Sequence, residues 1–250
     1  MSESAEATVY EYKELSSTNS QMRHLMKSEP MEELSVVMTH YQTAGRGQAG
    51  NGWESERGMN LLMSVLLHPC TIEVHKQFGV SQAVSLAVAE AVRSFGINGV
   101  CVKWPNDIYI DDKKVAGILI EHSIMGATLA DSVVGIGLNV NQLRFVSNAP
   151  NPVSMAQQLG HPIDLFEVFE RVMTHLTQQY ERLLNGDEHG LTADYHQLMW
   201  RADSQLHRFK DDAGEFDASI AGVDDIGRLV LMLPGGDHRA YGFKEVAYMG

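Results

Sequence analysis

The chain has 250 residues, 44% of them hydrophobic and 20% charged, enough for one full core and a small companion unit. Its 19 basic and 32 acidic residues leave a formal charge of −13, which argues against a broad basic surface for nucleic acid, so an anionic ligand has to be held locally. The first residues, MSESAEATVYEY, form no apolar leader, and no apolar run approaches the roughly 20 residues that span a bilayer, so the chain reads as cytoplasmic, without a membrane partner.

In chain order, the polar cluster "SSTN" at 16–19 followed by Met22, Leu25 and Met26 predicts an N-cap and a short helix. "LSVVMTHYQ" (34–42) and "MNLLMSVLL" (59–67) predict buried strands on either side of a glycine-rich stretch. Cys70 and Cys101 lie in apolar surroundings without C-x-x-C spacing and predict buried, reduced thiols. Val80, Val84, Ala87, Val88, Ala91, Val92 and Phe95 recur at helical spacing over 76–95. Residues 99–121 read as a strand, a Pro-forced break and a hairpin turning at Asp111 to Lys113, and 132–141 as a further strand. A long helix is predicted over 164–185, with Asp164 as N-cap and Glu167 at the capping-box position. Beyond it, short apolar runs separated by "DDAG", "DDIG" and "PGGD" predict a small antiparallel barrel. The expected organisation is therefore an α+β domain over 1–200 and a compact all-β domain over 201–250.

The stretch "TAGRGQAGNGW" (43–53) contains a literal G-x-G-x-x-G at Gly45, Gly47 and Gly50. A dinucleotide fingerprint needs a helix after its third glycine, because the pyrophosphate rests on that helix's positive end. Here "NGWESERG" and then a strand follow, and no Gly-Lys-Ser/Thr stands at P-loop spacing, so both readings fail. What remains is either a flexible hairpin with a solvated arginine or a backbone that approaches a flat or anionic ligand closely around Arg46. Lys103, ending an apolar strand before Trp104 and Pro105, is likewise either a snorkelling surface lysine or a cation aimed out of the sheet. Gly135 and Gly137 interrupt an apolar strand and mark a bulge or a ligand's approach.

Taken together, and in this order, "SSTN", "YQTAGRGQAGNGW", "KWPNDIYIDDKKVAGILIE" and "GIGLNVN" resemble the biotin protein ligases. The resemblance implies a mixed sheet packed against helices, of the class II synthetase-like biotin/lipoate ligase type, with a small C-terminal SH3-like β-barrel. It implies synthesis of biotinyl-5′-adenylate from biotin and ATP, with Mg2+ on the polyphosphate, then transfer of biotin to a lysine of a carboxylase carrier protein. Ser17, Thr18, Asn19 and Gln42 match positions that recognise the ureido ring, although Ser17 or Thr18 would serve equally as a helix cap. Gly45, Gly117, Gly135 and Gly137 match positions lining biotin; Arg46 and Lys103 match the cations that neutralise carboxylate and phosphate. Gly47, Gln48, Trp53, Asn106 and Asn139 match nucleotide positions. No protein metal cage and no covalent enzyme intermediate are implied. The family's repressor members carry a helix-turn-helix domain ahead of "SSTN"; the form without it is expected here, hence no DNA partner, and a homodimer is compatible with the resemblance. Gln48 departs from many relatives, which have arginine there. A lipoate or octanoyl ligase of the same superfamily and a non-catalytic biotin-adenylate sensor are the alternatives, disfavoured by the "GRG" loop and the terminal barrel and by the acidic charge respectively.

Overall fold

The computed structural model describes residues 8–146 and 151–249. Strand β1 (Val9–Tyr12) leads to helix α1 (Thr18–Ser28), and strands β2 (Val36–Thr39) and β3 (Leu61–Leu67) flank the glycine-rich stretch. Helix α2 (Phe78–Arg93) is followed by the short strands β4 (Val100–Lys103) and β5 (Asp107–Ile110) and the long strands β6 (Lys113–Met125) and β7 (Thr128–Leu138). Helices α3 (Met155–Leu159), α4 (Leu165–Leu184) and α5 (Glu188–Leu198) come next. The sheet order is β1-β2-β3-β7-β6-β5-β4, with β1 and β2 parallel and the other pairs antiparallel, the mixed sheet that the resemblance implied.

Alternation along β3 divides the sheet into two unlike faces. Leu61, Met63, Val65 and Leu67 join Val134, Ile136 and Leu138 of β7 in a large core with α2 and α4. Leu66 and Val133 face the other way, packing with Val37 beneath Met22 of α1. A strand buried on both faces reads as a near-continuous apolar run, broken here only by Ser64, which is why "LLMSVLL" shows no polar alternation. Each fully buried valine or leucine of α2 contributes about 1.5–3 kcal/mol, so packing rather than capping holds this helix, whose N-cap Gln77 makes no side-chain cap bond. Helix α1 covers only part of the second face; the row containing Gly117 and Gly137 is left to the glycine-rich loop.

The C-terminal strands β8 (His207–Asp211), β9 (Gly214–Val223), β10 (Leu229–Met232), β11 (His238–Tyr241) and β12 (Ala247–Tyr248) form an antiparallel sheet in the order β11-β10-β9-β8-β12, consistent with the SH3-like expectation. Its interior, including Phe209, Ile220, Leu229 and Leu231, is continuous with the main core. The Trp104 indole N–H donates to the Gly227 carbonyl at 2.9 Å, fastening the "KWPND" turn to the "DDIG" turn of this sheet.

Several local expectations are corrected. Ser17 occupies the N-cap of α1 but makes no cap bond, and Glu167 pairs with Arg171 at 2.6 Å rather than closing a capping box, while Asp164 does cap by accepting from the Phe166 N–H. A complete capping box occurs instead at Ser154 and Gln157. Cys70 is exposed and Cys101 only partly buried, so neither is a core thiol. The pairing of β7 with β3 and β6 runs through Gly135 and Gly137 without a register shift, which excludes a bulge there.

Candidate functional site

A cleft of about 570 Å3 opens on the second face of the sheet, between α1, the glycine-rich loop, the "KWPND" turn and the end of the C-terminal sheet. The sheet register builds its floor. Ser64, Gly135 and Leu119 lie in one row across β3, β7 and β6, and Leu62, Gly137 and Gly117 in the next.

Over the first row sits a compact polar network. Ser17 is extended, with φ −161° and ψ 137°, so that α1 starts at Thr18 inside the cleft. The Thr18 N–H donates to Gln42 Oε1 at 2.8 Å, with the Thr18 hydroxyl 3.3 Å from the same oxygen. Ser64 Oγ donates to Asn19 Oδ1 at 2.6 Å, and Asn19 Nδ2 donates to Glu121 Oε2 at 2.8 Å and to the Leu119 carbonyl at 3.3 Å. Asn19 is only 3% exposed, and Gly135 supplies the room, since a Cβ there would collide with Asn19 Oδ1. Side-chain amides and hydroxyls fixed in this way against apolar walls suit a small, neutral, multiply hydrogen-bonding group.

The second row carries the Trp53 indole, which needs both glycines: a Cβ at Gly137 would lie 2.5 Å from Trp53 Cε2 and one at Gly117 2.9 Å from Cζ3. The loop reaches this position as a tight antiparallel turn, with Trp53 N–H donating to the Gly45 carbonyl at 2.9 Å and Gly47 N–H to the Asn51 carbonyl at 2.6 Å. Gln48–Gly50 form a single 3-10 turn, so no helix follows the third glycine and the dinucleotide reading is excluded structurally as well. Trp53 Nε1 and Gln48 Oε1 are buried without a hydrogen-bond partner among the described residues. Such groups are costly unless something completes them. Arg46 leans on Glu121 at 3.4 Å, where Arg23 also pairs at 3.3 Å.

Cations line the opposite wall. Lys114 Nζ pairs with Asp107 Oδ1 at 2.6 Å and stands over the Trp53 ring. Lys103 Nζ donates to the Tyr109 hydroxyl at 3.1 Å. Burial holds its pKa below the ordinary lysine value, opposed by Asp107 and reinforced by Arg201 and Lys114. The turn presenting it is latched by Asn106, whose Nδ2 donates to the Ile118 carbonyl at 2.6 Å while its own carbonyl accepts from Ile118 N–H at 2.9 Å. A cleft with a neutral polar end and a cationic wall can bind a ligand that carries both a hydrogen-bonding ring and anionic groups.

Of the predicted residues, Ser17, Thr18, Asn19, Gln42, Arg46, Gly47, Gln48, Trp53, Lys103, Asn106, Gly117, Gly135 and Gly137 all line this cleft. Gly45 and Asn139 do not: Gly45 packs behind Gln42 and the Trp53 backbone, and Asn139, 3% exposed, donates to the Val153 carbonyl at 3.1 Å with its Oδ1 unpartnered among the described residues. Sequence reasoning missed Ser64, Glu121, Asp107 and Lys114. The signal for Glu121 and Lys114 is a charged residue within or beside the apolar run "KKVAGILIE"; Ser64, in mid-strand, is identified only by the register.

The sequence model of the biotin/lipoate A/B protein ligase family matches residues 12–139, just over half the chain. Among relatives, the bifunctional ligase/repressor BirA of Bacillus subtilis is 28% identical over 239 residues, covering 92% of this chain and 71% of its own. The biotin--[acetyl-CoA-carboxylase] ligase of Paracoccus denitrificans is 28% identical over 215 residues, covering 80% of this chain and 85% of its own. The structure of Aquifex aeolicus biotin protein ligase in complex with biotin and ATP superposes with a TM-score of 0.80 at 22% identity, covering 97% of this chain and 98% of the other, a likeness of fold.

Proposed function

Since the chain belongs to the biotin/lipoate A/B protein ligase family, we propose that it is an ATP-dependent biotin ligase, joining biotin to a lysine of a biotin carrier protein through biotinyl-5′-adenylate. The observation that carries this reading is the meeting, in one cleft, of the Thr18–Asn19–Gln42 network with the cations Arg46 and Lys103. The network matches the ureido ring of biotin, whose carbonyl accepts and whose two N–H groups donate. Ser17 borders it. Gly135 admits Asn19 to the sheet backbone in biotin's row, and Gly117 and Gly137 admit Trp53 in the next row, which is assigned to the nucleotide with Gly47, Gln48, Trp53 and Asn106; Gly45 and Asn139 are not carried into this assignment.

In the first step a biotin carboxylate oxygen attacks the α-phosphorus of ATP, forming the acyl–phosphate bond as pyrophosphate leaves. Two anions approach each other, so Arg46 and Lys103 act where charge concentrates. In the second step the neutral amine of the carrier lysine attacks the acyl carbonyl, an amide forms, and AMP and a proton leave. Mg2+ is proposed to enter on the ATP polyphosphate. Residues 1–200 are proposed as the catalytic unit and 201–250 as its companion, acting in the cytoplasm on a carboxylase carrier and without DNA. Among the described residues no helix is long and apolar enough to cross a membrane. A homodimer is proposed as the assembly, a matter for sedimentation.

The test is purified protein with ATP, Mg2+ and labelled biotin, with or without a carrier domain and with lipoate in competition. Pyrophosphate release and label transfer with biotin are expected; transfer of lipoate in preference to biotin would overturn the assignment.

Gln48 provides a second check. Its Oε1 is buried and unpartnered, beside the proposed phosphate position. Arginine would add a charge-assisted bond worth about 1.5–3 kcal/mol where an amide gives nearer 1. Gln48→Arg is therefore expected to slow release of biotinyl-5′-adenylate about tenfold, with biotin affinity little changed. Release is measured from preloaded enzyme without carrier; an unchanged or faster rate would place Gln48 away from the phosphate.

A further inference from the structure

The Lys103 ammonium stands among three aromatic rings: 4.8 Å from the centre of Tyr109, 4.6 Å from Trp200 and 5.2 Å from Tyr248. All are within the ~6 Å over which a ring face attracts a cation. Tyr109 belongs to β5, Trp200 to the link after α5, and Tyr248 to β12, the last strand. The rings also brace one another, at 5.6 Å between Tyr109 and Trp200 and 5.3 Å between Trp200 and Tyr248.

Trp200 and Tyr248 are themselves anchored. Trp200 Nε1 donates to Asp112 Oδ1 at 2.9 Å, and the Trp200 backbone N–H donates at 2.8 Å to the carbonyl of Val102, the residue before Lys103. Arg201 lies 4.1 Å from the Trp200 ring centre. Tyr248 pairs in register with Phe209 of β8 and packs on its ring at 5.2 Å. A long, flexible lysine gains direction only if its surroundings restrict it, and burial costs the ammonium its water. Three π-faces and one phenol oxygen supply both the restriction and the replacement for hydration.

We propose that Trp200 and Tyr248 are positioning residues for adenylation: with Tyr109 they cage the Lys103 ammonium at the rim of the cleft, so that the last strand of the C-terminal sheet completes the reaction centre of the larger one. The proposal rests on the reading of Lys103 as the cation that meets carboxylate and phosphate. Lys103 and Tyr248 both border the cleft, whereas Trp200 works from behind, through Lys103.

The experiment compares Trp200→Ala and Tyr248→Ala with Trp200→Phe and Tyr248→Phe in single-turnover adenylate formation. The alanine variants are expected to lose about tenfold in rate at saturating biotin, with KM for biotin unchanged, and the phenylalanine variants to recover most of it. In a Lys103→Ala background the same alanine substitutions are expected to add no further loss, which a merely structural role would not reproduce. A readout independent of catalysis is the NMR shift of the Lys103 methylene protons, assigned by their absence in Lys103→Ala. Ring currents are expected to move them upfield in the wild-type protein and release them in either alanine variant. Wild-type protein that shows these shifts but does not adenylate biotin would refute the ligase reading and leave the cage standing. Unshifted Lys103 protons in the wild-type protein, alanine variants with wild-type rates, or losses equal in the two backgrounds would each overturn the cage.

Discussion

Lys103→Ala is expected to slow biotinyl-5′-adenylate formation about a hundredfold or more while the protein stays folded. One charge placed where it develops in a transition state commonly contributes about 3 kcal/mol in a partly desolvated site. The fold does not need it: Lys103 ends β4, its ammonium forms no carboxylate ion pair among the described residues, and burial already disfavours its charge. Rapid-quench measurement of adenylate, with a thermal melt as control, provides the check; a near wild-type rate would remove Lys103 from the adenylation chemistry. The lowered pKa adds a pH signature. Because the ammonium is the active form, the rate is expected to fall as pH rises through a pKa below the ordinary lysine value. Stability follows the opposite sign: between the lowered folded pKa and the ordinary unfolded one, the unfolded chain holds the extra proton, so this group's contribution to stability rises with pH. An alkaline loss of activity in that window is then not a stability effect of this group, and Lys103→Arg, which keeps its proton, is expected to push the limb upward at a reduced overall rate.

What the sequence revealed and concealed has a physical pattern. Strands β2, β3, β6 and β7 and helices α2 and α4 were legible because each buries a continuous apolar run or stripe, and periodicity records that directly. Strand β1 escaped because VYEY is half exposed along its length, and α5 because only Leu191 and Tyr195 of its eleven residues are buried. The site residues on the glycine loop and "KWPND" turn were legible through their motifs. Glu121 was not, since its role comes from meeting Asn19, Arg23 and Arg46 across distant stretches of chain. The same holds for Trp200 and Tyr248, which no local pattern distinguishes from ordinary core aromatics. The glycines of β7 are the instructive middle case. Composition alone left bulge and close approach open, and only the unbroken register, with Asn19 and Trp53 lying over them, decides for close approach.

That decision makes Gly135→Ala a sharp test of the biotin pocket. The backbone at Gly135 is not left-handed, so alanine meets no conformational strain there and acts purely through its methyl group. The methyl would collide with Asn19 Oδ1, 3.0 Å from Cγ and 3.2 Å from Nδ2. Strand β7 has no room to retreat, because Gly135 pairs with Ser64 on one side and Leu119 on the other. Asn19 must therefore rotate away, giving up its bonds to Ser64 at 2.6 Å and Glu121 at 2.8 Å and leaving buried polar groups unmatched. Each such group costs about 1–3 kcal/mol, which corresponds to roughly ten- to a hundredfold in ligand affinity when the network is the ligand's own recognition surface. Gly135→Ala is expected to weaken biotin binding by that factor in calorimetry without ATP. The adenylation rate at saturating biotin should suffer far less, since Arg46 and Lys103 are untouched. Gly137→Ala, which strikes Trp53 instead, is expected to spare biotin binding and impair ATP use. If Gly135→Ala binds biotin as the wild type does, the Asn19 network faces something other than the ureido ring; if both variants lose biotin binding equally, the division of the cleft into a biotin row and a nucleotide row is wrong.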